Sequence, residues 1–122
     1  MCKSIMKILV TGSTGFIGRN LKEQLEDKYE IYTPDHRELD LLDDNKVERY
    51  LKNMDFDIII HCANRNDVVK VGTTDYDVLD DNLRMFYNLE RCSEYYGKMY
   101  YFGSGAEYSS AHYIPNMTED YF

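Results

Sequence analysis

The sequence predicts an α/β fold, a parallel sheet between two layers of helix, and three observations carry that expectation. A short apolar run, Ile8-Leu9-Val10, has the composition of a buried strand and leads straight into glycines at 12, 15 and 18. Apolar residues then recur four apart at Ile17, Leu21 and Leu25, which is one face of a helix. Farther on, Ile58-Ile59-Ile60 is an unbroken apolar run of the kind found in parallel strands covered on both faces. Four strands are expected in the order 3-2-1-4, with right-handed crossovers.

Taken in order, the first strand is expected at 7–11 and the first helix at 16–27. A second short strand at 30–33 is stopped by Pro34. Asp43 or Asp44 caps a second helix, on which Val47, Tyr50, Leu51 and Met54 fall at helical spacing. The third strand and its exit occupy 57–63, and a loop occupies 66–73. Thr74-x-x-Asp77 has the form of a capping box and opens a long helix with Leu79, Leu83, Phe86 and Leu89 on one face. Gly97 is expected to end that helix, and the fourth strand to run over 98–103.

The chain of 122 residues suffices for one domain with a real core, and no internal repeat is visible. A net charge of −8 with no basic run argues against nucleic acid and against anionic membrane surfaces as partners. No apolar stretch is long enough to span a bilayer, and the first residues lack the apolar core of a signal peptide, so the cytoplasm is the expected location. The cysteines, Cys2, Cys62 and Cys92, are widely spaced and form neither a disulfide framework nor a metal-ligand pattern. Cys62 and Cys92 sit within apolar patterns and read as small core residues. Twelve tyrosines gather mainly toward the end of the chain.

The glycines define the candidate site. On a strand-to-helix turn, one glycine allows the sharp turn, one lets a ligand approach the backbone, and one lets helix and strand pack closely. The cradle runs through Gly12, Ser13, Thr14, Gly15, Phe16, Ile17 and Gly18. Amides at the helix start, together with the helix dipole, favour an anion such as pyrophosphate. A P-loop is disfavoured, because no Gly-Lys-Ser/Thr follows. Asp35 stands where an acidic residue at the end of the second strand accepts from the adenosine ribose. Arg37, two residues on, has the chemistry to pair with a 2′-phosphate. The two signals point to NAD and to NADP respectively, and a solvated loop charge is an equal reading of Arg37.

Thr11-Gly12-x-x-Gly15-x-x-Gly18 resembles the fingerprint of the extended short-chain dehydrogenase/reductase family, the NAD(P)-dependent epimerases and dehydratases of nucleotide sugars. The resemblance implies a Rossmann-like sheet and further site residues. Asp40-Leu41 resembles the pair with which the family holds adenine, the carboxylate accepting from the exocyclic amine and the apolar side chain covering the ring; a turn or cap residue is nearly as good a reading of Asp40. The segment from Asp57 through Cys62, Ala63 and Asn64 resembles the family's Asp-x-(apolar)₃-His-x-Ala-Ala, whose small residues let the cofactor lie on the backbone. Asn64 replaces the second alanine, and His61 is read as structural. Asn82 matches a family asparagine that supports the active site from within, and Ser104 matches the serine that donates to the substrate oxygen undergoing redox change.

The family's proton transfer uses a Tyr-x-x-x-Lys pair, and no tyrosine here has lysine four residues later. The resemblance therefore implies the N-terminal part of a longer nucleotide-sugar epimerase, dehydratase or reductase, inactive on its own. The alternative is a short dinucleotide-binding sensor or interaction module without catalysis. The fourth strand, with Tyr100, Tyr101 and Phe102, is expected at a sheet edge that recruits a second copy or is covered by the tail; a homodimer is the favoured outcome.

Overall fold

The structure is a computed structural model and describes residues 5–65 and 75–103. Its elements are β1 (Lys7–Thr11), α1 (Phe16–Leu25), β2 (Glu30–Tyr32), α2 (Asp44–Lys52), β3 (Phe56–His61), α3 (Asp75–Glu90) and β4 (Tyr96–Tyr101). All strand pairs are parallel, as expected. The order is β2-β1-β3-β4, however, not 3-2-1-4. The Ile58–Ile60 strand lies inside the sheet and pairs directly with β1. The physical reason lies in burial: a strand that is apolar at every position needs neighbours and cover on all sides. β2 has three residues, Glu30, Ile31 and Tyr32, none of them buried, and it takes the edge instead.

Strand alternation then builds two faces. Register aligns Tyr32, Leu9, Ile59 and Met99 in one row across the sheet. That row packs with Val47 and Leu51 of α2 and with Met85 and Leu89 of α3. On the other face lie Ile8 and Val10, both buried, and α1 contacts β1 there. Val47 and Leu51 are fully buried, and each contributes about 1.5–3 kcal/mol of transfer free energy. The Asp43 cap, which accepts from the Lys46 N–H at 3.1 Å, contributes about 1 kcal/mol. Packing therefore holds α2 in place, and the cap fixes where it starts.

Several local expectations shift. Thr74, the start of the expected capping box, lies outside the described residues, as do Ser104 and the tail. On α3 the buried face is Met85, Asn88 and Leu89, continuing to Cys92, while Leu79 and Leu83 are 55% and 46% exposed. The helix carries two apolar stripes, and the one with methionine and asparagine faces the core. Gly97 does not end α3. The Leu89 carbonyl accepts from the Cys92 N–H at 3.1 Å and from the Tyr96 hydroxyl at 2.9 Å, so the helix closes in a tight turn without glycine. Gly97 sits in β4, which begins two residues earlier than expected.

The ends of β1 and β3 are joined by one hydroxyl. Thr11 Oγ1 accepts from the Cys62 and Ala63 N–H groups at 3.1 and 3.2 Å. Its own proton then goes to His61 Nδ1, 2.7 Å away, because a hydroxyl has one donor. Nδ1 must be unprotonated, and burial pushes the His61 pKa down to about 4. The sign follows from linkage. Above the ordinary value near 6.5 both native and unfolded chains carry a neutral ring. Between about 6.5 and 4 the unfolded chain binds a proton that the native one refuses, so native stability falls, by about 3 kcal/mol in all. In urea unfolding between pH 7.5 and 4.5, His61→Asn, which keeps an acceptor for Thr11, is expected to lose less stability on acidification than the unmodified protein. Equal losses in both would contradict this role of His61.

Candidate functional site

A crevice of about 450 Å³ opens at the C-terminal ends of β1 and β3. β1 has β2 on one side and β3 on the other, so the chain leaves β1 in one direction and returns on its far side. Such a reversal of strand order opens a cleft in parallel α/β sheets. Three stretches form its walls: residues 11–14, 34–37 and 39–42, closed by Ala63 and Met85.

The glycine turn is built by backbone contact. Gly12 has φ +68, and a Cβ there would lie 2.6 Å from the Ala63 N. A Cβ on Gly18 would lie 2.2 Å from the Gly12 carbonyl oxygen. Both glycines are therefore demanded by the chain's own packing. Gly15 differs. Its φ is −76, open to any residue, and its Cβ would meet only the Gly12 oxygen at 3.4 Å, an ordinary contact. Gly15 is the N-cap of α1, and it provides no side-chain cap; the first turn has no acidic residue either. α2 is handled differently, with Asp43 capping it and Asp44 in its first turn. Among the described residues, the positive end of α1 thus has no acidic side chain in its cap or first turn.

The remaining expected residues divide by position. Ser13 and Thr14 line the crevice with Gly12. Phe16, 78% exposed, and Ile17 lie in the first turn of α1 and do not line it. Asp35, Arg37, Asp40, Leu41 and Ala63 do. Asp35 Oδ1 accepts from the N–H groups of Arg37 and Glu38 at 2.8 and 3.0 Å, which closes one turn. Asp40 Oδ1 accepts from the Leu42 N–H at 3.0 Å and closes the next. Each carboxylate keeps its second oxygen clear of these turns. Cys62 is half-buried at the β3 exit and does not line the crevice, and burial raises its thiol pKa. Asn64 is exposed.

Asn82 does not line the crevice. Its Oδ1 accepts from the Arg65 N–H at 2.6 Å, and its Nδ2 donates to the Arg65 carbonyl at 2.9 Å. Both ends of the amide hold the backbone beyond β3, so it acts as a brace. The Arg65 guanidinium also pairs with Asp81 on the same helix. Lining residues not anticipated from sequence are Pro34, His36, Leu39, Leu42 and Met85, and Asn88 behind them was not anticipated either. Met85 and Asn88 had a signal: each lies three or four residues before a buried position, Leu89 or Cys92. Arg37 borders a second, shallower groove that holds Lys46 and Arg49 of α2.

Comparison with known proteins agrees with this geometry. A family model described as the NAD dependent epimerase/dehydratase family matches residues 8–122. GDP-L-colitose synthase of Yersinia pseudotuberculosis is 44% identical over 59 residues, 48% of this chain and 19% of that protein. A GDP-mannoheptose C4 reductase of Campylobacter jejuni, solved with NADP bound, superposes with TM-score 0.85 at 22% identity, over 99% of this chain and 40% of its own. A dTDP-4-dehydrorhamnose reductase of Bacillus anthracis, in complex with NADP, does so with TM-score 0.64 at 27% identity, over 72% of this chain and 32% of its own. The chain thus spans well under half the length of these relatives. With a parallel α/β sheet, a glycine turn at its strand reversal and a family match over nearly all its residues, the chain belongs to the NAD dependent epimerase/dehydratase family.

Proposed function

We propose that these 122 residues form the NAD(P)-binding part of an enzyme that modifies a nucleotide sugar by epimerisation, dehydration or reduction. Gly15 is the observation that carries the ligand reading. The fold itself accounts for Gly12 and Gly18, but among the described residues nothing requires the absence of a side chain at 15. A ligand close to the backbone does require it. In this reading pyrophosphate lies at the start of α1, where the cap and first turn carry no acidic side chain, and adenosine lies against residues 35–42. The nicotinamide supplies hydride acceptance and donation. Asp40 accepts from adenine through its second oxygen, and Leu41 covers the ring.

The relatives' names favour a GDP-linked sugar as substrate, since the colitose synthase and the mannoheptose reductase are both named for one. Ser104, outside the described residues, would orient the substrate oxygen. Proton transfer has no Tyr-x-x-x-Lys pair in these residues, so turnover is not expected from them alone. Self-association belongs to the same proposal. Among the described residues β4 is the outer strand, and Tyr100 and Tyr101 on it and Phe102 just after it are exposed.

The glycines give the first test. Gly15→Ala is expected to leave folding stability within about 1 kcal/mol, yet to weaken NADP binding by on the order of tenfold or more, read by calorimetric titration. Gly18→Ala is expected to destabilise the fold itself, by about 1–3 kcal/mol or more. Undiminished affinity in the Gly15 variant would remove the ligand reading.

The second test separates the nucleotides. Arg37 stands between the crevice and the groove with Lys46 and Arg49, where a 2′-phosphate would meet positive charge. Arg37→Ala should lower affinity for NADP by about tenfold and leave NAD nearly unaffected. An unchanged ratio of the two affinities would show that Arg37 does not read the 2′-phosphate.

A further inference from the structure

We infer that Asn88 is the positioning residue of the adenine side of the crevice, orienting the Asp40 carboxylate through the peptide that joins Leu41 to Leu42. The inference rests on the dinucleotide reading above and names the residue that sets its selectivity for the base.

Residues 34–42 form two consecutive turns, closed by Asp35 and Asp40 from within. Turns of this kind fix local shape, but they do not fix how the loop sits on the fold. Leu39 and Leu41 anchor it by burial, yet apolar contact is non-directional and leaves the peptide plane free to turn. The Asp43 N–H at the cap of α2 donates to the Asp40 carbonyl at 3.1 Å, which continues the turn along the chain; among the described residues, a single hydrogen bond joins this loop to an element distant in sequence. Asn88 Nδ2, on α3, donates to the Leu41 carbonyl at 2.8 Å. The other end of that peptide, the Leu42 N–H, donates to Asp40 Oδ1 at 3.0 Å. Asn88 and Asp40 thus hold opposite ends of one planar unit. Where Asn88 holds the carbonyl, the N–H direction follows, and with it the carboxylate of Asp40.

The direction of the Asn88 amide is itself fixed. Its Oδ1 accepts from Arg91 Nη2. A guanidinium only donates, so it selects the oxygen and leaves the NH₂ for a carbonyl, which only accepts. Arg91 Nη2 also lies 3.7 Å from Asp44 Oδ2 at the start of α2. The chain Asp44, Arg91, Asn88, Leu41 therefore links two helices to the loop. Asn88 is 5% exposed, so an amide left without its partners here is costly. Met85 lies one turn earlier on the same helix and lines the crevice, so α3 supplies both a wall and the clamp.

The test uses NAD and its hypoxanthine analogue, which lacks the exocyclic amine that Asp40 is proposed to accept from. The unmodified protein is expected to prefer NAD by about tenfold. Asn88→Asp keeps the size and the Arg91 partner but has no N–H for the Leu41 carbonyl. It is expected to bring the preference close to unity. A residue that merely stabilised the fold would weaken both dinucleotides by one factor, and that result, or an unchanged preference, overturns the inference. Binding of neither dinucleotide by the unmodified protein would instead overturn the crevice reading, and the inference with it. If Asn88→Asp fails to fold, Arg91→Met serves, since its side chain is 55% exposed and it selects the amide direction. A preference left intact in that variant overturns the inference equally.

Discussion

The backbone contact around Gly12 is the constraint on which the rest of the structure depends. At this point the end of β1 turns back, the first turn of α1 crosses its carbonyl, and the exit of β3 lies against its Cα. Three segments approach so closely that no side chain fits among them. Thr11, one residue before, secures the same junction with its hydroxyl, accepting from two N–H groups of the β3 exit and donating to His61. The crevice lies where these segments are held together and β2 and β3 flank β1 on opposite sides, at the reversal of strand order. Polar groups at its rim are turned inward to serve the chain, as with Asp35 and Asp40 in their turns. Each carboxylate can do two jobs because each has two oxygens.

Much of this was legible in the sequence, because periodicity and glycine spacing are local. β1 was read with its observed limits, and α1, α2, β3 and the parallel sheet followed from unbroken apolar runs and helical spacing. Strand order was not read correctly, although one signal for it was present. Placing Ile58–Ile60 at an edge contradicted its own composition, while the short, polar β2 had the character of an edge strand. On α3, two apolar stripes competed, and leucine content alone chose the outer one over the stripe with Met85 and Asn88. Pairings across long sequence separations, such as Asn82 with the Arg65 backbone and Asn88 with the Leu41 carbonyl, leave no periodic trace, so their partners appear only in the fold.

The site illustrates how one residue type can answer to different causes. The fingerprint has three glycines of equal standing in sequence, yet among the described residues only two have a packing reason. The same division runs through the asparagines. Asn82 and Asn88 both use their amides on backbone groups, one steadying the exit of β3 and the other the loop after β2. Neither reaches the crevice directly, and both shape it from behind.

The central claim is that the crevice at the ends of β1 and β3 holds a pyridine dinucleotide. The most direct measurement is backbone amide NMR during titration with NADP. The largest shifts are predicted for residues 12–18 at the turn and for 39–42 on the adenosine side, saturating together with one affinity. Shifts confined to other surfaces, such as the exposed face of α3, or none at millimolar nucleotide, would contradict it.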